Sequence, residues 1–391
     1  MKNIKNDLQK VKKASKIISN LWINERNKLI FDIKNILLEN VDLVKKANQK
    51  DLKKIDKKSF IYDRIFLSNE RIISLANSCD EIIKIKDPLR KFEEEKIISQ
   101  NKWINIKKIA VPLWVVACIY EARPNVTIDI INMWIKSWNA VILRWSSQTK
   151  NTNDILIKLV KKVLKNNKIN ANIIYKFSLD KADTEILYHA IWLVDVIIPR
   201  WWKELIENVR KNSQIPVIET WAWVVHLYLD NDISLRNSKK IFEIIINAKT
   251  SRPSVCNAID TLIINKSISK NILKELFEKL KNKWVNLVTK NQDFSKEHLS
   301  LDLNIKYVSS LEKALNHIEK YSSKHSDWII TDNDEKKERF FKWVDSWVIY
   351  TNTSTRFSDG SCFWFWWEIW ISTQKIHSRW PMWAESLVTY K

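Results

Sequence analysis

A chain of 391 residues with a single glycine, Gly360, has almost no residue that takes a positive φ without strain. Ordinary usage of about 7% would place roughly 27 glycines in a chain this long. Tryptophan supplies the missing number: there are 21, with four in FWFWWEIW at Phe363–Trp370. The one Gly and 21 Trp together make 22, close to the expected glycine count. Where the tryptophans fall therefore decides what the chain can build.

Apolar spacing supplies the map. Residues 1–95 repeat apolar positions every three or four residues, as in LQKVKKASKIISNL and RNKLIFDIKNILLENVDLVKKA, and read as helices. KWINIKKIAVPLWVVACIY (102–120) changes to β-branched alternation, a hairpin followed by a strand. The short runs NAVILR (139–144), NIIYKF (172–177), VDVIIP (194–199) and PVIET (216–220) are separated by helical patterns such as NDILIKLVKKVLK. A second set follows: IDTLII (259–264), ILKELFEKLKN (272–282), VNLVT (285–289), IKYV (305–308) and SLEKALNHIEKY (310–321). This order predicts an α/β fold with a doubly wound, mostly parallel, Rossmann-like sheet and a second α/β domain. Two such domains with a cleft between them suit an enzyme that uses a dinucleotide.

On this map the tryptophans sit at corners. Trp138 precedes NAVILR and Trp145 follows it; Trp201 and Trp202 open a helix in IIPRWWKELI; Trp221 and Trp223 end PVIETWAW. An α/β fold uses glycine at such corners so that backbone N–H groups meet a phosphate at a helix N-terminus. Two adjacent indoles would block that approach and overpack the turn. A genome that reads UGA as glycine, translated with UGA as tryptophan, produces this pattern. The alternative is a Trp-rich, basic protein that stacks single-stranded nucleic acid, which expects indoles on exposed basic faces.

The net charge of +21 is spread along the chain on helix faces such as NDLQKVKKASKIISNL, and reads as solvated surface, with no nucleic-acid partner implied. A positive field of this kind favours anionic substrates. MKNIKNDLQKVKK has no apolar core of a secretory signal, and Ala110–Tyr120, the longest uncharged apolar stretch, is too short to cross a bilayer. The four cysteines, Cys79, Cys118, Cys256 and Cys362, form no CxxC pair. A reduced, cytoplasmic protein with no membrane contact and no metal site is expected; none of the six His has metal-ligand spacing.

With glycine restored, the corners read IIPRGGKELI, PVIETGAGVVHLYLD and FGFGGEIG, beside the unaltered blocks RPSVCNA (252–258) and STQKIHSR (372–379). Over nearly its whole length the chain resembles the glutamate-5-semialdehyde dehydrogenase (gamma-glutamyl phosphate reductase) family of the aldehyde dehydrogenase superfamily. The resemblance implies reduction of L-glutamyl 5-phosphate by NADPH to glutamate 5-semialdehyde, phosphate and NADP+, the second step of proline synthesis from glutamate. It also implies an NADP-binding domain at 1–222, with an oligomerisation hairpin near 98–110, and a catalytic domain at 223–355. A segment at 356–391 would return to the cofactor domain and the oligomer interface. A homo-oligomer, and contact with the glutamate 5-kinase that makes the labile acyl phosphate, follow from the same likeness. Asp260 stands where the family more often has Glu, and the chain ends at TYK where relatives continue.

The resemblance singles out Cys256 as the nucleophile. A thiolate attacks an acyl phosphate, expels phosphate and leaves a thioester that accepts hydride. Most lone cysteines are buried structural residues, and Cys79, Cys118 and Cys362 keep that reading. The tetrahedral oxyanion needs fixed donors, offered by the Cys256 backbone N–H and the side chain of Asn125 in EARPNV. Glu219 stands where hydrolytic relatives keep a base; here it reads as positional or cofactor-contacting, since a thioester awaiting hydride must avoid water. Lys136, Ser137, Arg144 and Arg200 to Lys203, including Trp201 and Trp202, are expected at the NADPH phosphates. Arg252, Arg356, His377 and Arg379 are expected at the substrate carboxylate or phosphate.

Overall fold

The computed structural model describes residues 4–57, 59–89, 92–97, 105–120, 122–200, 203–219, 223–233, 238–358 and 384–391. The chain divides into two compact units, Met1–Thr220 with Trp367–Lys391, and Trp221–Trp366.

The first unit opens with helices α1 (Ile4–Ile18), α2 (Ile23–Glu39), α3 (Val41–Leu52), α4 (Phe60–Ile65) and α5 (Asn69–Lys84). Their helical spacing has a direct outcome: Ile4, Leu8, Val11, Ala14 and Ile18 of α1 are all buried, one apolar stripe against the core. Next come β1 (Phe92–Ile97), β2 (Asn105–Pro112), β3 (Val115–Tyr120), α6 (Pro124–Lys136), β4 (Ala140–Trp145) and α7 (Lys150–Asn166). The unit's series continues with β5 (Ile174–Lys176), α8 (Lys181–Tyr188), β6 (Val196–Arg200) and α9 (Lys203–Asn212). The start of α7 is held by the buried Asp51 of α3. Its carboxylate accepts from Asn151 N at 3.1 Å, Thr152 N at 2.8 Å and Thr152 Oγ1 at 2.6 Å, a negative charge on a positive helix end.

Strands β5-β4-β3-β6 form a four-stranded parallel sheet. Every residue of β3 is buried, as a central parallel strand covered on both faces requires. The chain runs outward from β3 through β4 to β5, then returns to place β6 on the other flank of β3. The switch point therefore lies between β3 and β6, where Tyr120 pairs with Arg200 at the carboxyl ends.

The second unit contains β7 (Val225–Leu229), α10 (Ser238–Thr250), β8 (Thr261–Asn265), α11 (Lys270–Lys281) and β9 (Asn286–Val288). After these come β10 (Asp302–Val308), α12 (Leu311–Tyr321), β11 (Ser326–Ile330), α13 (Asp334–Trp343) and β12 (Val348–Thr351). Its six strands are all parallel, in the order β12-β11-β7-β8-β10-β9. A last strand, β13 (Val388–Tyr390), belongs to the first unit and joins β1 and β2 in an antiparallel sheet ordered β1-β2-β13. The tip of the expected hairpin, 98–104, lies outside the described residues.

The α/β architecture with parallel sheets agrees with the sequence. Four elements depart from it. PVIET forms only an isolated bridge, Val217 with Ile197, and the strand lies further on, at VHLYL. Strands β11 and β12 occupy segments the apolar pattern passed over. The helical run assigned to 1–95 already ends at Lys84, and β1 begins at Phe92.

Candidate active site

Cys256 lies on the loop between α10 and β8, which leads into the amino end of this interior strand of the second sheet, and is half-buried. The loop is tied at its base. Ile259 N donates to Ala248 O at 3.2 Å, Ala258 N donates to Val255 O at 3.1 Å, and the fully buried Lys249 donates from Nζ to Ile259 O at 2.8 Å. Asp260, two per cent exposed, fastens the start of β8 to its surroundings by accepting from Val225 N at 3.1 Å and His298 N at 2.8 Å. Burial pushes the Asp260 carboxyl up to about 6, with Lys249 opposing, and burial brings the Lys249 ammonium down to about 8.

The other described cysteines have a different environment. Cys79 is buried, its Sγ accepts from Asn132 Nδ2 at 3.2 Å, and desolvation pushes its thiol up to about 12. Cys118 is buried within β3, and burial raises its thiol too. Neither forms thiolate at neutral pH, so Cys256 is the accessible thiol of the three. Cys362 lies outside the described residues.

In the first unit, Asn125 stands half-buried in the first turn of α6, directly after Pro124. Arg144 is near the carboxyl end of β4, with its Nε buried and without a hydrogen-bond partner. Burial lowers its guanidinium pKa, while Tyr188 and Asp180 oppose that effect. Arg200 ends β6 at the switch point, and its charge opposes the burial that pushes the Asp129 carboxyl of α6 up to about 7. Glu219 is buried just beyond the bridge at Val217.

Lys136 and Ser137 stand apart from this set. They lie where β4 begins, at the opposite end of the strand from Arg144. Lys136 is fully buried and its Nζ donates to Asn27 Oδ1 at 2.8 Å and to Ile83 O at 2.9 Å. Ser137 Oγ donates to Met133 O at 2.9 Å. Lys136 thus ties α6 to α2 and α5, Ser137 closes the last turn of α6, and neither is carried into the cofactor site proposed below. In the second unit, Arg252 is exposed at the start of the cysteine loop, and Arg356 donates from Nη1 to the side-chain oxygen of Asn257. Trp201, Trp202, His377, Arg379 and the side chain of Lys203 lie outside the described residues. Among the described residues, no group of three or more His, Cys, Asp or Glu could hold a metal ion, and no helix is long and apolar enough to cross a membrane.

The backbone adds an observation about tryptophan. Among the described residues nine non-glycine residues have positive φ, and four of them are Trp114, Trp138, Trp192 and Trp284, at φ 77°, 64°, 68° and 65°. Trp284 closes α11 in a Schellman motif, with Trp284 N donating to Lys281 O at 2.8 Å and Val285 N to Leu280 O at 3.1 Å. Trp138 does the same for α6, with Asn139 N donating to Trp134 O at 2.9 Å. This is the position a helix usually gives to glycine.

No protein-family model matches the chain. The gamma-glutamyl phosphate reductase of Chlorobium phaeobacteroides is 38% identical over 403 aligned positions, spanning 98% of this chain and 95% of the relative. That of Legionella pneumophila is 40% identical over 409 positions, spanning 100% of this chain and 97% of the relative. The chain belongs to the gamma-glutamyl phosphate reductase family. Among solved structures, the gamma-glutamyl phosphate reductase of Thermotoga maritima superposes with a TM-score of 0.91 at 31% identity, covering 99% of this chain and 96% of that one. An acetylating aldehyde dehydrogenase from Geobacillus thermoglucosidasius, at 16% identity and a TM-score of 0.72, shares the fold. Within this family, sequence reasoning singled out Cys256 and Arg356 but passed over Asn257, Thr355 and Lys249. All three stand inside or beside the same blocks, KTSRPSVCNA and STRFSDG.

Proposed function

We propose that this chain reduces L-glutamyl 5-phosphate with NADPH to L-glutamate 5-semialdehyde and phosphate, the second step of proline synthesis from glutamate. The observation that carries the reading is Cys256, a half-buried thiol on a tied loop in a chain that matches gamma-glutamyl phosphate reductases end to end. The Cys256 thiolate attacks the acyl carbon, the bond from that carbon to the phosphate oxygen breaks, and phosphate departs, leaving a thioester. The Cys256 backbone N–H and the Asn125 amide are the donors assigned to the oxyanion. Bound NADPH supplies the hydride that takes the thioester to the aldehyde level. The thiohemiacetal on Cys256 then collapses, the carbon–sulfur bond breaks, and the thiol is restored.

Arg144 and Arg200, at the carboxyl ends of β4 and β6, are cations of the kind that hold cofactor phosphates, and the buried Arg144 Nε has no acceptor among the described residues. The residues written next to Arg200 do not suit phosphate binding, since Trp201 and Trp202 put two side chains where backbone must approach the anion. We infer that most tryptophans of this sequence, these two included, are glycine in the native protein, encoded by UGA. The positive-φ tryptophans at helix ends and turns support this. Peptide mass spectrometry of the native protein tests it; tryptophan masses at 201 and 202 would overturn it.

The enzyme reading is tested by phosphate- and NADP-dependent oxidation of the semialdehyde, with the chain made in both tryptophan and glycine forms. Activity should appear in the glycine form and vanish with Cys256→Ala; full activity in that variant would remove the mechanism. We extend the reading to a cytoplasmic homo-oligomer joined through the β1-β2-β13 sheet, and to transfer of the labile acyl phosphate from glutamate 5-kinase. Sedimentation and coupled-assay lag times measure these two points.

A further inference from the structure

Between α10 and β8 the chain must leave a helix, present Cys256 and enter a buried strand. The ties at the base of this loop, from Ala248 and Lys249 to Ile259, close it, and Ala258 N donates to the carbonyl of Val255, the residue before the thiol. A third set of ties comes from the segment that follows β12, nearly one hundred residues away in sequence, where the separation between Thr355 and Asn257 is 98. Ser354 Oγ donates to Asn247 Oδ1 at 2.6 Å, anchoring that segment on α10. Thr355 Oγ1 donates to the main-chain oxygen of Asn257, and Arg356 Nη1 donates to its side-chain oxygen. Asn257 is 4% exposed and Thr355 fully buried, so water does not compete for these contacts. Two donors on consecutive residues thus converge on the residue adjoining Cys256.

We propose that Thr355 and Arg356 are positioning residues for the reaction, holding Asn257 so that the Cys256 thiol and backbone N–H keep a single geometry. The inference rests on Cys256 being the nucleophile. Attack on an acyl carbon requires the sulfur near 3–3.5 Å with its lone pair aligned, and a misplacement of about 1 Å costs about a hundredfold. The buried Thr355 hydroxyl and the half-buried Arg356 guanidinium add ties from outside the loop, which narrow that placement further. Arg356, expected from the sequence at the substrate, here acts first on the nucleophile's neighbour.

The test uses the active form of the full chain. Thr355→Val removes the hydroxyl and keeps the side chain's volume, while Thr355→Ser keeps the hydroxyl. Thr355→Val should lower kcat by about ten- to a hundredfold, with KM for the cofactor little changed and the thermal midpoint lowered, since the buried Asn257 carbonyl loses its donor. It should also slow iodoacetamide capture of Cys256, read by peptide mass. Thr355→Ser should restore both to within a few-fold of the parent. Should Thr355→Val fail to fold, Arg356→Gln carries the same measurements. Unchanged kcat and unchanged alkylation in these variants, with Cys256→Ala inactive, would overturn the clamp and leave the nucleophile standing. An active Cys256→Ala would overturn both.

Discussion

Trp284 offers the cleanest single test of what the tryptophans are. It is 85% exposed, so replacing it forfeits almost no burial. Its φ of 65° puts its Cβ against the following carbonyl, a conformation that costs a non-glycine residue about 1–2 kcal/mol. Its backbone N–H and that of Val285 make the two Schellman bonds to Lys281 O and Leu280 O, and both survive any side-chain change. Glycine relieves the conformational cost but adds about 0.4–1 kcal/mol of unfolded-chain freedom. The balance is a gain of about 0.5–1 kcal/mol for Trp284→Gly in the chain made as written. Trp284→Ala keeps the Cβ and should gain nothing. Urea titration followed by far-UV circular dichroism measures both, with stability taken from the midpoint at constant slope. Equal stabilisation by Ala and Gly, or a loss with Gly, would refute the argument that backbone conformation selects the residue here. Trp192, at φ 68° and 86% exposed, repeats the test in the other unit.

Iodoacetamide at mildly alkaline pH should label Cys256 in the folded protein and spare Cys79 and Cys118, whose thiols are buried and raised; label on either at the rate of Cys256 would contradict their placement. His317 and His325 are buried and each held down to about 3, far below the unfolded value near 6.5. Between those values the unfolded chain binds protons that the native one does not, so stability falls as pH drops below about 6.5, by up to about 1.4 kcal/mol per pH unit for each imidazole. Urea midpoints at pH 7 and pH 5 should show this loss, and His325→Asn should show a shallower one; an unaltered slope would argue against a neutral buried ring. Lys136→Met should lower stability, since Asn27 and Ile83 lose their buried donor, yet leave the KM for NADPH within about twofold. A many-fold rise in that KM would return Lys136 to the cofactor site.

The parallel strands β4, β6, β8 and β10 were legible because their sequences are short apolar runs bounded by polar turns. Strands β7 and β11 were not, and the reason is visible between them. His226 of β7 lies opposite Asp327 of β11, with Nδ1 and Oδ1 3.0 Å apart, and both side chains are fully buried. Asp327 also accepts from Ser322 Oγ at 2.7 Å and from the Ser346 hydroxyl. A pattern reading takes polar residues as exposed; here each finds its partner on another element, which no local window contains. The same limit hid Thr355, whose acceptor is remote in sequence, and misplaced Lys136. A lysine beside a strand reads as a phosphate ligand until its stem is seen turned inward. Cys256 was singled out only through the block around it, since a lone cysteine has no spacing that points to a role.

The tryptophans of the described residues include two kinds of site that a genuine indole does not suit. Trp138, Trp145 and Trp328 bury their Nε1–H with no hydrogen-bond acceptor, and a buried, unpaired donor of this kind costs about 1–3 kcal/mol. Trp192 and Trp284 stand almost wholly in solvent at positive φ, where the ring contributes little burial and the Cβ brings strain. One substitution accounts for both kinds. Glycine has no N–H on its side chain to satisfy and no Cβ to strain, so the buried sites lose an orphan donor and the exposed ones lose a clash. In the proposed function the requirement at Trp201–Trp202 is of the same nature but functional, because a cofactor phosphate at that corner would need bare backbone to approach. A stability test at Trp284 and an activity test of the two forms of the chain therefore probe one hypothesis from independent sides. Agreement on stability without recovered activity would confine the glycine reading to the helix ends.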